Sequence, residues 1–210
     1  MRQSNFLTKT LRHAPKDEES INSRLLMQAG FVDKLGSGIY TFLPLGLRVL
    51  NKIENIVREE MNKAGSSELL MPSLHPKENW AQTGRWDSFD ALFKIKAKSQ
   101  SEYALGPTHE EVIYPLMSHL STSYKDLPIS LYQIQTKFRN EVRAKSGIMR
   151  GREFLMKDLY SFNHTLEEQS DFYEKAKEAY LKVFTRCGIG DRTFITFASD
   201  FARISLLNLF

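Results

Sequence analysis

YQIQTKFRNEVRAKSGIMRGREFLMKDLYSF, residues 132–162, decides the fold. Two strand-like runs flank a basic loop that contains glycine. The first run, 129–138, is rich in β-branched and aromatic residues and ends at Phe138-Arg139-Asn140-Glu141. The second, 152–162, sets Phe154, Met156 and Tyr160 at even spacing, which puts the three on one face of a strand. The loop carries Arg143, Lys145, Gly147 and Arg150. Paired antiparallel, the runs aim Arg139, Glu141, Arg150 and Glu153 into a shared cleft. Such a cleft, rich in cations and with placed carboxylates, suits a phosphate-bearing ligand. A solvated hairpin loop would carry the same charges, and spacing alone does not separate the two.

Outward from this stretch, the order of elements reads as helices around strands. Glu19 to Ala29 carries Ile21, Leu25, Leu26 and Ala29, a short amphipathic helix that Gly30 ends. Gly36 and Gly38 mark turns, and Tyr40-Thr41-Phe42-Leu43 reads as a short strand. From Leu47 to Ala64, the residues Leu47, Leu50, Ile53, Val57 and Met61 recur every three or four positions, one apolar stripe on a helix. Glu68 to Pro72 then reads as a strand closed by proline. Trp80 and Trp86 are placed for burial or for a pocket wall. Leu92–Ile95 and Tyr103–Leu105 read as a hairpin across a polar loop. Thr108 followed by Glu111 is a capping-box pattern for a helix that carries Val112, Leu116 and Leu120. Leu166 to Arg186 is a second long helix with Phe172, Ala176, Ala179 and Val183 on one side, and Cys187 reads as a small core residue just beyond it.

Composition bounds the function. The 210 residues suffice for one domain with a sizeable core. Hydrophobic content of 41% and charged content of 26% are ordinary for a globular chain. A net charge of +4 permits an anionic partner such as RNA or ATP without requiring one. One cysteine excludes an internal disulfide and a cysteine-rich zinc site. His13, His75, His109, His119 and His164 lack metal-ligand spacing, so no metal site is expected. No run is long and apolar enough for a transmembrane helix, and the first twenty residues lack a secretory signal's apolar core, so the cytoplasm is the default location.

The string FRNE-x-RAKSG-x-x-RGREF-x-MKD-x-YSF resembles the second signature motif of class II aminoacyl-tRNA synthetases, and in its details the bacterial prolyl-tRNA synthetases. The helix, strand and Pro72 resemble the first motif, and TGRWD at 83–87 is similar to the same family. The resemblance implies an α+β fold, an antiparallel sheet flanked by helices. It implies a homodimer formed through residues near 40–72. It also implies a reaction, ATP-dependent activation of proline followed by transfer to tRNA(Pro). Arg139 would be the catalytic residue, holding the proline carboxylate and the α-phosphate together. Thr108 and Glu110, a Thr-x-Glu loop, would hold the proline ammonium, with Asp158 and Tyr160 lining the same pocket. Glu141, Arg150, Gly151 and Phe154 would join Arg139 around ATP, Phe154 stacking on the base. Mg²⁺ would bridge the ATP phosphates, with ligands that the resemblance does not assign here.

The resemblance runs to about Ser199, where DFARISLLNLF replaces the glycine pair that the family has next. Residues 1–199 are therefore expected to form the N-terminal part of a synthetase catalytic domain and 200–210 an atypical tail, as a truncation or shifted frame would leave. By the same resemblance, the third class II motif, the editing insertion and the anticodon-binding domain are expected to be absent from residues 1–210. Three other readings compete: a non-catalytic fragment or paralogue that keeps the dimer surface and part of the ATP and proline site, a threonyl, seryl or glycyl relative, and an unrelated basic RNA-binding module.

Overall fold

A computed structural model describes residues 6–7, 9–15, 18–121, 123–144 and 146–196. Lys145 and the tail from 200 onward lie outside the described residues. In chain order the elements are α1 (Ile21–Gln28), β1 (Val32–Gly36), β2 (Ile39–Phe42), α2 (Pro44–Lys63), β3 (Ser67–Glu68), β4 (Leu74–Pro76), α3 (Lys77–Gln82), α4 (Arg85–Ser88), β5 (Phe93–Lys96), β6 (Glu102–Leu105), α5 (Glu110–Leu120), β7 (Ile129–Phe138), β8 (Glu153–Phe162) and α6 (Leu166–Arg186). The mixture is α+β, as expected. It divides into two compact units, residues 1–52, 73–107 and 136–155 in the first and 53–72, 108–135 and 156–210 in the second.

The first unit holds two small antiparallel sheets. β1 pairs with β2, Val32 opposite Phe42 and Lys34 opposite Tyr40. β6 is the centre of the other, with β4 and β5 antiparallel on either side. The expected hairpin at 92–105 is β5–β6. Its apolar side closes over Trp80, Trp86, Leu92 and Ala104, all buried, with Phe89 packed against them. Both tryptophans are thus core residues, set by the short helices α3 and α4.

The second unit is built on the sheet β3–β7–β8, in which β3 runs parallel to β7. Strand alternation sorts the side chains. Tyr132, Ile134 and Leu159 pack with Met61 of α2 and with Ala176, Ala179 and Phe172 of α6. The expected apolar face of α6 is the one that is buried. A second cluster gathers Met71, Tyr160, Ile129 and Leu131 with Ile113 and Met117 of α5.

Three expectations change. The strand predicted over Glu68–Pro72 ends at Glu68. Beyond it only Leu69 keeps a backbone bond to β7, to the Tyr132 carbonyl at 2.9 Å, while side chains of β7 take over at Met71. The capping box does not form: the N-cap of α5 is His109, with no side-chain cap, and the Thr108 hydroxyl bonds Glu110 instead. Cys187 is half-buried at the C-terminus of α6 rather than in the core. The expected apolar stripes of α1 and α2 are buried only in part. Ile21 and Leu25 are exposed, as are Leu47 and Ile53, whereas Met61 is fully enclosed.

Candidate active site

The loop between β7 and β8 belongs to the first unit. Its mouth closes where the Arg139 amide donates to the Arg152 carbonyl (2.9 Å). Arg139 is half-buried, with its guanidinium 5.4 Å from the centroid of Phe154 and one Nη donating to the Pro107 carbonyl (3.4 Å). A guanidinium over an aromatic face is held in a fixed orientation without losing its charge. Glu141 and Arg150 form a two-bond pair, with Nε at 3.1 Å and Nη2 at 2.8 Å from the same carboxylate oxygen. Gly151 is buried, and a Cβ there would lie 3.1 Å from the Gly38 carbonyl, so the strand entry is tight for a side chain.

Beside this pair lies an open cleft of about 680 Å³, lined by Phe89, Asp90, Asn140, Glu141, Arg143 and Arg150 among others. Of the four residues expected to share a cleft, Glu141 and Arg150 do so. Arg139 stacks on Phe154 instead, and Glu153 is exposed.

Spacing missed the residues that shape the loop. Arg152 donates to the Glu141 carbonyl through Nε (3.1 Å) and Nη2 (2.9 Å), and to the Ser37 carbonyl through Nη1 (2.8 Å). The Arg152 amide donates to the Gly38 carbonyl (2.7 Å). Gly38 has φ +74°, and a Cβ there would meet Ala144 Cβ at 2.6 Å and the Arg152 nitrogen at 2.9 Å. Asn22 of α1 donates to the Ser146 carbonyl (2.9 Å) and accepts from the Ile148 amide (3.2 Å). Arg152 stood inside RGREF, so the motif carried a signal for it. Asn22 had none, because its partners lie more than a hundred residues away.

The second unit brings together Thr108, Glu110, Asp158 and Tyr160. Thr108 Oγ1 donates to Glu110 Oε2 (2.5 Å), and Glu110 is buried at the start of α5. A carboxylate in the first turn of a helix is favoured by the exposed backbone N–H groups there. Tyr160 is buried, and its hydroxyl donates to Asp158 Oδ2 (2.9 Å) while accepting from the His109 amide (3.2 Å). Burial, with the negative charges of Glu110 and Asp158, pushes the Tyr160 phenol well above its ordinary range, so it stays a donor. His109 Nε2 lies 2.9 Å from the Pro72 carbonyl, so this nitrogen carries the proton. A hydroxyl beside a buried carboxylate offers a cationic amine both a charge partner and an oriented acceptor.

Among the described residues no group of three or more His, Cys, Asp or Glu side chains is placed to hold a metal ion. The magnesium that the resemblance attaches to ATP therefore has no ligand assigned here. No helix of the described residues is long and apolar enough to cross a membrane.

Comparison with known proteins gives these residues a context. Residues 93–205, more than half of the chain, match the tRNA synthetase class II core domain (G, H, P, S and T). The chain is 52% identical over 196 residues to a proline–tRNA ligase of Geobacillus sp. (strain WCH70), an alignment covering 93% of this chain and 35% of that protein. It is 51% identical over 190 residues to a proline–tRNA ligase of Legionella pneumophila (strain Lens), covering 90% and 33%. The chain thus spans about a third of the length of the curated relatives it matches. Among solved structures, Giardia lamblia prolyl-tRNA synthetase in complex with prolyl-adenylate is similar at a TM-score of 0.70 and 26% identity, over 74% of this chain and 33% of that one. The enzyme from Cryptosporidium parvum complexed with L-proline and AMP has the same fold, at a TM-score of 0.69 and 18% identity. With its fold, its motif at 138–162 and a matching family model in agreement, the chain belongs to the class II tRNA synthetase core-domain family.

Proposed function

We propose that this chain is part of a proline–tRNA ligase and carries residues that activate proline with ATP, for transfer to tRNA(Pro) in the cytoplasm. One observation carries the reading: a buried Glu110 carboxylate bonded by the Thr108 hydroxyl, at the start of α5, in a chain half identical to curated proline–tRNA ligases. In activation, a proline carboxylate oxygen attacks the α-phosphorus of ATP. A P–O bond forms, the bond to the bridging β-phosphate oxygen breaks, and pyrophosphate leaves. No side-chain nucleophile is required, so the protein's task is positioning and charge stabilisation.

Arg139 is the residue we assign to the charge that develops on phosphorus. Its planar fork holds a carboxylate and a phosphate oxygen at once, which a lysine does less well. Thr108 and Glu110 hold the proline ammonium, and Asp158 and Tyr160 line the wall beside them. Glu141, Arg150, Gly151 and Phe154 serve ATP, with Phe154 offering the ring on which a base stacks. Arg150 is largely solvent-exposed, so exchanging its pair with Glu141 for a phosphate oxygen costs little desolvation. In the second step a tRNA 3′-terminal hydroxyl attacks the prolyl carbonyl and AMP leaves. Magnesium, when bound with ATP, supplies charge neutralisation at the phosphates. A homodimer through residues near 40–72 belongs to the same reading, supported by the exposed Leu47, Val49 and Ile53 on α2.

The test is proline-dependent ATP–pyrophosphate exchange on the purified chain. Arg139→Ala should lower the rate by about 10²-fold or more, the scale for losing a donor to transition-state charge. A folded wild-type chain with no exchange above that variant would assign it as a non-catalytic member of the family.

A further inference from the structure

Gln133 is fully buried on β7 and makes two hydrogen bonds in opposite senses. Its Oε1 accepts from the Met71 amide (3.1 Å), and its Nε2 donates to Asp158 Oδ2 (2.9 Å). The orientation of the amide is forced. Turned over, it would set an N–H₂ against a backbone N–H and a carbonyl against a carboxylate. Asp158 Oδ2 takes its second donor from Tyr160, and the Tyr160 hydroxyl receives the amide of His109, the residue between Thr108 and Glu110. A continuous chain of bonds therefore runs from Met71 through Gln133, Asp158 and Tyr160 to the Thr-x-Glu loop.

We propose that Gln133 is a positioning residue for amino-acid recognition, aiming the Asp158 carboxylate and, through Tyr160, the Thr108–Glu110 loop. The proposal rests on the proline-activating reading above. Two donors on one carboxylate oxygen hold its direction, and removing one weakens that hold. On the same strand face, the neighbouring Gln135 donates through its Nε2 to the Met71 carbonyl. The two glutamines thus share a structural duty at Met71, and Gln133 adds a link to Asp158.

The experiment measures proline and ATP binding separately on the 210-residue chain, together with hydrogen exchange at the His109 amide. Gln133→Glu keeps an acceptor for Met71 but sets a carboxylate against Asp158. It should weaken proline roughly 10- to 100-fold, the scale of a hydrogen bond to a charged group. ATP affinity should hold, and the His109 amide should exchange faster. Gln135→Glu should lower the melting temperature yet leave proline affinity and His109 protection in place. If Gln133→Glu melts below the assay temperature, Gln133→Met removes the same donor without adding charge, and the same split is expected. Parallel losses in the Gln133 and Gln135 variants, a matching loss of ATP, or no loss of proline would overturn the proposal. A wild-type chain that binds no proline would count against the ligase reading, and His109 exchange would then decide this one alone.

Discussion

Lys157 points away from its sequence neighbour Asp158, since adjacent strand residues face opposite sides of a sheet. Its ammonium donates to the Tyr180 hydroxyl of α6 and lies 4.5 Å from that ring's centroid. Burial pulls its pKa down to about 8, only partly opposed by Asp158. Unfolded, the same lysine keeps its proton to about 10.4. Between these values the unfolded chain binds more protons than the folded one, so this group makes stability rise with pH from about 8 to 10. Above that, burial holds the Tyr132 and Tyr180 phenols up to about 12 while unfolded tyrosines ionise near 10, and stability falls. Lys157→Met should raise the melting temperature at pH 7 and flatten its rise towards pH 9.5, a difference on the order of 3 kcal/mol at most. Equal slopes for the variant and the wild type in melts from pH 7 to 9.5 would show that Lys157 is solvated. Glu110→Gln tests the other side of the sheet. It should weaken proline binding roughly 10- to 100-fold and leave ATP binding alone, read by calorimetry. As candidates, Glu110 and Arg139 are legible because each sits in a short motif of matched residues. Gln133 is not. Its bond to Asp158 spans 25 positions, and an isolated Gln in a strand has no local signature.

At the scale of elements, β7 falls on the bounds its β-branched and aromatic run gives, 129–138, and α6 on those its apolar side gives, 166–186, because each is long. The stretch after β3 departs from the expected strand for a physical reason. Leu69 bonds the backbone of β7, but glutamine side chains, rather than its backbone, satisfy Met71, so the ladder stops. The basic loop shows the same limit. Arg and Lys spacing marked it as charged, yet its shape comes from the Arg152 fork on the Glu141 and Ser37 carbonyls and from Asn22. Arg152→Ala removes these donors together and should raise hydrogen exchange across 141–150 while β7 amides in the second unit keep their protection. ATP should then bind more weakly. Gly38→Ala should act on the same loop by a different route. It places a Cβ 2.6 Å from Ala144 and strains a φ of +74°, at a cost of roughly 1–3 kcal/mol. Unchanged loop exchange in both variants would mean that the loop is ordered by something other than this seat.

For the whole molecule, the decisive fact is what α2 leaves uncovered. Leu47, Val49 and Ile53 are each more than two-fifths exposed on one helix, and Leu35 of β1 is 79% exposed. Single apolar residues at a surface are ordinary, but Leu47 and Ile53 lie on a stripe that ends in the core at Met61, and an exposed half-stripe is what a self-complementary contact needs. The charge balance does not oppose association, because +4 over 210 residues is a weak repulsion that physiological salt screens within about 8 Å. A stable dimer must bury on the order of 1,000 Å² or more, which α2 alone does not offer, so β1 and β2 are expected to join it. Leu47→Glu with Ile53→Glu places two charges in that contact, where desolvation without a partner is costly. Sedimentation velocity across a concentration series should show the wild-type chain moving from monomer to dimer and the double variant staying monomeric, with the same melting temperature at low concentration. A wild-type chain that stays monomeric at every concentration would leave this face of α2 without a second copy as its occupant.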